Sequence, residues 1–159
     1  MKKTTLKTPL GIAKIEGDEN GISKITILDN ENLEENIDEI PAVLQACVEQ
    51  LTAYFEGKLQ EFNLKLNPQG TEFQKKVWKT LQEIPFGETT SYLALSKKLG
   101  NIKAIRAVAA ANGKNPLWIV IPCHRVIGSD GSLIGYAGGL WRKEYLLELE
   151  NPSAQQRLF

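Results

Sequence analysis

Apolar and polar residues alternate over residues 10–16 and again over residues 22–28, the period of half-buried strands. Past Pro41 the apolar positions instead recur at three- and four-residue intervals, the period of amphipathic helices. A chain with this change of period has to join a sheet-bearing N-terminal part to a mainly helical C-terminal part. Gly17-Asp18-Glu19-Asn20-Gly21 supplies a hairpin turn between the two strands. Pro41 opens a helix with Val43, Leu44, Cys47, Val48, Leu51, Tyr54 and Phe55 on its apolar stripe, and Gly57 ends it. Residues 29–39 read as an acidic, solvated loop and residues 62–66 as a further short strand. Asn67-Pro68-Gln69-Gly70 is the expected boundary, dividing the chain into domains 1–68 and 69–159.

In the second part, Thr71 is placed to N-cap a helix carrying Phe73, Val77, Trp78, Leu81 and Ile84 on one face, and Pro85-Phe86-Gly87 breaks it. Residues 91–99 form a short helix stopped by Gly100-Asn101, and residues 103–112 a second one directly after it. Two short helices joined by a tight turn outline a helix-turn-helix, a pattern that serves DNA binding and purely structural packing alike. The second helix is nearly bare: Ala104, Ala107, Ala109, Ala110 and Ala111 surround Arg106, the one long basic side chain of its central turns. Such a helix fits close packing against a neighbour, or entry into a groove of restricted width, and different faces can do both.

The formal net charge is zero, but residues 1–70 carry seven Lys/Arg against twelve Asp/Glu, and residues 71–159 carry twelve against seven. This asymmetry is compatible with an ordinary distribution over a surface and with a basic half that faces a polyanion. No run of about 18 apolar residues is present to span a membrane, and the basic start has no apolar run behind it, so a cytoplasmic protein without a signal peptide is expected. Two cysteines and one histidine are too few for a disulfide framework or a Cys/His zinc set, and no metal or cofactor is expected.

The chemistry centres on Ile121-Pro122-Cys123-His124-Arg125-Val126-Ile127, which follows the apolar residues Leu117, Trp118, Ile119 and Val120 and precedes a hairpin-like turn, Ser129-Asp130-Gly131-Ser132. Thiolate is the reactive form of cysteine, and a neighbouring base or cation raises its population. The chain's one histidine sits beside Cys123, with Arg125 next. On an extended segment adjacent side chains point to opposite faces, so coupling the pair requires a bridging water or a sharp turn. The dipeptide by itself also fits a buried cysteine and a hydrogen-bonded histidine that are merely neighbours. Cys47, on the apolar stripe of its helix, reads as a small core residue.

The pentapeptide Pro122-Cys123-His124-Arg125-Val126 resembles the signature of the O6-alkylguanine-DNA alkyltransferases. The likeness extends, in order and spacing, through Phe73-Gln74, Val77-Trp78, Ile84-Pro85, Gly87, Thr89, Ser91, Tyr92, Arg106-Ala107-Val108, Asn115-Pro116, Tyr136-Ala137-Gly138-Gly139, Lys143, Leu146-Leu147 and Glu150. It is nearly continuous over the last ninety residues and holds only in outline over the first seventy. The resemblance implies an α/β, ribonuclease H-like N-terminal domain and a mainly α, winged helix-turn-helix-like C-terminal domain.

It also implies a single-use DNA repair protein, monomeric, that takes the alkyl group of O6-alkylguanine, and of O4-alkylthymine, from double-stranded DNA onto Cys123. In that scheme His124 activates the thiol through a water, Glu150 orients His124, and Tyr92 donates a hydrogen bond to the guanine ring. Arg106 on the Ala-rich helix takes the place of the flipped base, with Ala107 beside it, and Asn115 ties that helix to the active-site loop. Val126, Ala137, Gly138 and Ser91 complete the expected contacts to base and DNA. Ala137 stands where some relatives have Ser, which leaves more room for larger alkyl groups. The main alternative is an alkyltransferase-like protein that binds lesions without chemistry, a branch in which the cysteine is replaced; a helix-turn-helix regulator is a second.

Overall fold

The computed structural model describes residues 1–28, 39–133 and 136–152, arranged in two compact units. The acidic loop expected at residues 29–39 lies almost wholly outside the described residues. The first unit holds residues 1–69 together with residues 116–118, and the second holds residues 70–115 and those from Ile119 onward.

The first unit is a three-stranded antiparallel sheet, β1 (Lys2–Thr8), β2 (Gly11–Asp18) and β3 (Gly21–Leu28), in the order β1-β2-β3 and covered by helix α1 (Ala42–Phe55). The alternation of β2 and β3 turns Ala13, Ile15, Ile25 and Ile27 into the core, where Leu44, Cys47, Leu51 and Tyr54 of α1 join them. Gly17 is required by close approach: a Cβ there would stand 2.8 Å from the Gly21 carbonyl oxygen and 3.2 Å from Leu44. Burial pushes the Cys47 thiol up to about 12, so it is an inert core group.

Four details differ from the reading of the sequence. Strand β1, in a segment whose apolar alternation is weak, pairs along its whole length with β2. Residues 62–66 form no strand; only Leu66 makes a parallel bridge to β3, through Ile22 N–H to the Lys65 carbonyl (2.8 Å) and Asn67 N–H to the Ile22 carbonyl (2.7 Å). Val43 and Phe73 stand exposed in the first turn of their helices, Val43 beside the buried Leu44 and Phe73 one turn before the buried Val77. Leu117 bridges Ile25 of β3, so the apolar run before the active-site loop is divided between the two units. The division falls at Ile119, whose φ of 74° is left-handed and costly for a β-branched residue.

In the second unit α2 (Glu72–Leu81) begins with the expected cap: Gln74 N–H donates to the Thr71 hydroxyl and the Gln74 side chain accepts from Thr71 N–H, a full capping box. Helix α3 (Tyr92–Lys98), a turn with Gly100 at φ 87°, one 3-10 turn (Ile102–Ala104) and α4 (Ile105–Gly113) form the helix-turn-helix. The Trp78 indole N–H donates to the Ala111 carbonyl (2.8 Å) and fastens α4 to α2. Two short strands, β4 (Thr90–Ser91) and β5 (Val126–Ile127), pair in parallel. The turn after β5 closes through Gly128 N–H to the Ser132 carbonyl (2.8 Å). Helix α5 (Leu140–Glu150) ends the described fold. No helix among the described residues is long and apolar enough to cross a membrane.

Candidate active site

Cys123 does not lie on an extended segment. Pro122 (φ −81°, ψ 62°) makes an inverse γ-turn that brings Cys123 N–H to the Ile121 carbonyl (2.8 Å), and residues Cys123–Arg125 follow as a 3-10 turn leading into β5. The turn buries all three side chains, Cys123 at 8% exposure and His124 at 0%.

His124 and Arg125 both meet Glu150, the last residue of α5. His124 Nε2 is 2.7 Å from Glu150 Oε2, and Arg125 binds the same carboxylate through Nε (2.7 Å) and Nη2 (3.0 Å). The Arg125 Nη1 donates to the Ile84 carbonyl (2.7 Å), and its guanidinium lies over the Phe86 ring. Burial raises the Glu150 carboxyl, but the hydrogen bonds from His124 and Arg125 and the charge of the Arg125 guanidinium outweigh it and hold it at about 2. Burial lowers His124 against the opposing pull of Glu150, so the imidazole rests neutral. An ionised carboxylate can only accept; the imidazole proton therefore sits on Nε2, and Nδ1 carries a lone pair. That Nδ1 is buried and has no hydrogen-bond partner. A neutral histidine held by a carboxylate, with its second nitrogen unengaged, is a base in waiting.

Burial also raises the Cys123 thiol, against a hydrogen bond from Asn115 and the positive charge of Lys143. Desolvation wins over these, so the thiol rests protonated and its proton has to leave during the reaction. Asn115 is buried and its Nδ2 donates to the Ile121 carbonyl (2.8 Å) as well. Lys143 is fully buried with its ammonium on the Val126 carbonyl (2.6 Å).

A cavity of about 580 Å³ opens beside this loop, within the range of small-molecule sites. Ile105, Arg106, Ala109, Asn112 and Gly113 of α4 form one wall, with Tyr92, Tyr136 and Ala137 opposite. Burial raises both tyrosine hydroxyls and the nearby Cys123 adds to this, so they stay protonated and able to donate. Of the residues picked from the sequence, Tyr92, Arg106 and Ala137 line the cavity, and Cys123, His124, Glu150 and Asn115 are buried outside its lining. Ala107 is exposed on α4 outside the lining. The Ser91 hydroxyl caps α3 by accepting from Ala94 N–H (3.0 Å). The Gly138 carbonyl accepts from Arg142 (2.8 Å) and that of Val126 from Lys143, so both oxygens are engaged inside the fold. Reading the sequence gave no role to Arg125 as the clamp on Glu150, nor to Asn112 and Tyr136 in the cavity wall. For Asn112 a signal existed: Ile105, Ala109 and Asn112 share a helical face at i, i+4 and i+7. Among the described residues no group of His, Cys, Asp and Glu could hold a metal ion.

Two family profiles match the chain. One, described as 6-O-methylguanine DNA methyltransferase, ribonuclease-like domain, covers residues 1–68. The other, 6-O-methylguanine DNA methyltransferase, DNA binding domain, covers residues 72–152. A methylated-DNA–protein-cysteine methyltransferase of Methanosarcina barkeri is 47% identical over 152 residues, covering 91% of this chain and 94% of the relative. The O6-methylguanine methyltransferase structure from Mycobacterium tuberculosis superposes with a TM-score of 0.83 at 42% identity, covering 94% of this chain and 92% of that one. A structure of the Mycobacterium tuberculosis protein in complex with DNA matches with a TM-score of 0.83 and 43% identity, over 93% and 91% of the two chains.

Proposed function

The chain belongs to the 6-O-methylguanine DNA methyltransferase family and repairs alkylated DNA by moving the alkyl group to a cysteine of its own, and we propose that Cys123 is that acceptor, served by His124, Glu150 and Tyr92. The observation that carries this assignment is the unpartnered His124 Nδ1, held ready by Glu150 one residue from a buried thiol. The thiol proton passes through a water to Nδ1, and Sγ attacks the alkyl carbon. The S–C bond forms as the C–O6 bond breaks, and the electron pair moves into the guanine ring. Tyr92 donates a hydrogen bond to the ring as this charge grows. The proton held by His124 returns to the departing guanine, which leaves neutral. The thioether has no route to hydrolysis, so each molecule acts once. The same attack fits O4-alkylthymine, whose alkyl group hangs from an equivalent ring-conjugated oxygen.

The alkylated base reaches Cys123 only when flipped out of the duplex. Arg106 is exposed on the face of α4 that lines the cavity, and we assign it to the space the base vacates. Asn115 holds the loop and the thiol together; Ala137 faces the alkyl group. Val126, Gly138, Ala107 and Ser91 contribute backbone and surface contacts to base and DNA. All of these residues lie in the second unit of a single chain, which suits a monomer on double-stranded DNA. The free thiols of Cys47 and Cys123 suit a reducing cytoplasm.

Incubation with a duplex carrying O6-methylguanine should add about 14 Da, one CH₂, to the peptide containing Cys123. Lesion consumed with the gain on another residue, or lesion left intact, would count against the assignment. Arg106→Ala should slow repair of the duplex about 10- to 100-fold, the scale of unstacking a base. Its reaction with free O6-benzylguanine should keep the parent rate. Equal slowing of both would remove Arg106 from base flipping.

A further inference from the structure

Asn112 of α4 lines the cavity and keeps one polar atom unused. It is 4% exposed, and its Nδ2 donates to the Cys123 carbonyl oxygen at 3.4 Å. A carbonyl oxygen can face only the NH₂ end of an amide, so this contact fixes which end is which. The Oδ1 at the other end is buried and has no hydrogen-bond partner among the described residues. Such an acceptor has a cost that an apolar side chain of the same size would avoid. The base that reaches Cys123 offers one donor to match it. Alkylation at O6 leaves guanine N1 without a proton, and N9 carries the deoxyribose. The exocyclic amine is then the only N–H group of the lesion.

We propose that Asn112 is a specificity-determining residue whose Oδ1 accepts a hydrogen bond from the exocyclic amine of the flipped O6-alkylguanine. The inference rests on Cys123 as the alkyl acceptor and on this cavity as the seat of the base. The donor end of the same amide sits on the Cys123 carbonyl, so a base caught by Oδ1 is held beside the backbone that carries the nucleophile. Oδ1 opens to the base when the wall around it gives slightly. Ile105 and Arg106, on the same wall, are exposed and able to yield, and Arg106 moves into the duplex in the role assigned above. A lesion without the amine leaves Oδ1 buried and unpaired, and a site built around a hydrogen bond rejects such an analogue. Asn112 thus favours O6-alkylguanine over O4-alkylthymine, which keeps no N–H.

Single-turnover transfer from duplexes carrying O6-methylguanine or O6-methylhypoxanthine, which lacks only the exocyclic amine, separates this role from a structural one. Asn112→Leu keeps nearly the same volume without the acceptor. It should lower the ratio of the guanine rate to the hypoxanthine rate about tenfold relative to the parent, the scale of one buried hydrogen bond. Comparing ratios cancels the intrinsic reactivity of the two bases, and a general loosening of the loop would slow both lesions alike. A ratio within about twofold of the parent's would overturn the proposal, whatever the absolute rates. If the leucine variant does not fold, Asn112→Ala is read in the same way. Methylation of Cys123 in the parent, read by mass, keeps a failure here distinct from failure of the activity assignment.

Discussion

Cys123→Ala is expected to abolish alkyl transfer while leaving a folded protein that still binds lesion-containing duplex. Among the described residues no second nucleophile stands ready to take over the reaction. Cys47 is buried in the first unit with its thiol pushed up to about 12, and Lys143 is spent on the Val126 carbonyl. The structural cost of the change is small, because one sulfur atom at 8% exposure is removed from a loop whose turns depend on backbone hydrogen bonds. A loss of about 1 kcal/mol, or about 2–4 °C in melting temperature, is the expected scale. Mass spectrometry after prolonged incubation should show no alkylated protein, and anisotropy with labelled lesion duplex should show retained binding. Removal of the alkyl group by this variant would place the acceptor elsewhere.

Glu150→Ala should lose both stability and activity. The carboxylate accepts from His124 and twice from Arg125, and Arg125 is only 6% exposed. Removing one partner of a buried ion pair strands the other, at a cost of about 3–5 kcal/mol, which corresponds to a melting temperature about 10 °C lower. It also frees His124 to take the wrong tautomer, and transfer should fall about 10²- to 10⁴-fold, the range of general acid–base contributions. Glu150→Gln keeps the volume and should recover part of the stability with less of the rate. The pH dependence has a definite sign. The carboxyl is held near 2, below an ordinary glutamate, so its contribution is full above about 4.5 and is lost as pH falls toward 2. The stability gap between parent and Glu150→Ala should therefore stay constant from pH 8 to about 5 and close below that. A gap that closes near neutrality would mean that His124, not Glu150, controls the linkage.

Much of this could be read from residue order. The capping box of α2, the stop of α1 at Gly57, the β2–β3 hairpin and the two short helices around Gly100 are local choices, made within a few residues by hydrogen bonding and backbone sterics. The linear motif around Cys123 is equally local. What failed locally was β1, whose weak alternation carries little signal until β2 is there to pair with it, and residues 62–66, whose alternation finds only one pairing partner.

Helix α5 shows the limit most clearly. Its buried residues include Arg142, Lys143 and Glu150, while Leu140, Trp141 and Tyr145 are exposed. Apolar periodicity is blind to such a helix, because the buried charges are made tolerable by polar partners, the Gly138 carbonyl for Arg142, the Val126 carbonyl for Lys143 and His124 with Arg125 for Glu150. The sequence by itself determined the two-part architecture, the helix-turn-helix and the adjacency of the proposed acceptor thiol to the chain's one histidine. Only the tertiary structure decided the state of that thiol, the tautomer of His124, the clamp of Arg125 on Glu150 and the place of Asn112 in the cavity wall against the Cys123 carbonyl. Protonation states depend on burial and on charges brought together from separate parts of the chain, and neither exists until the chain has folded.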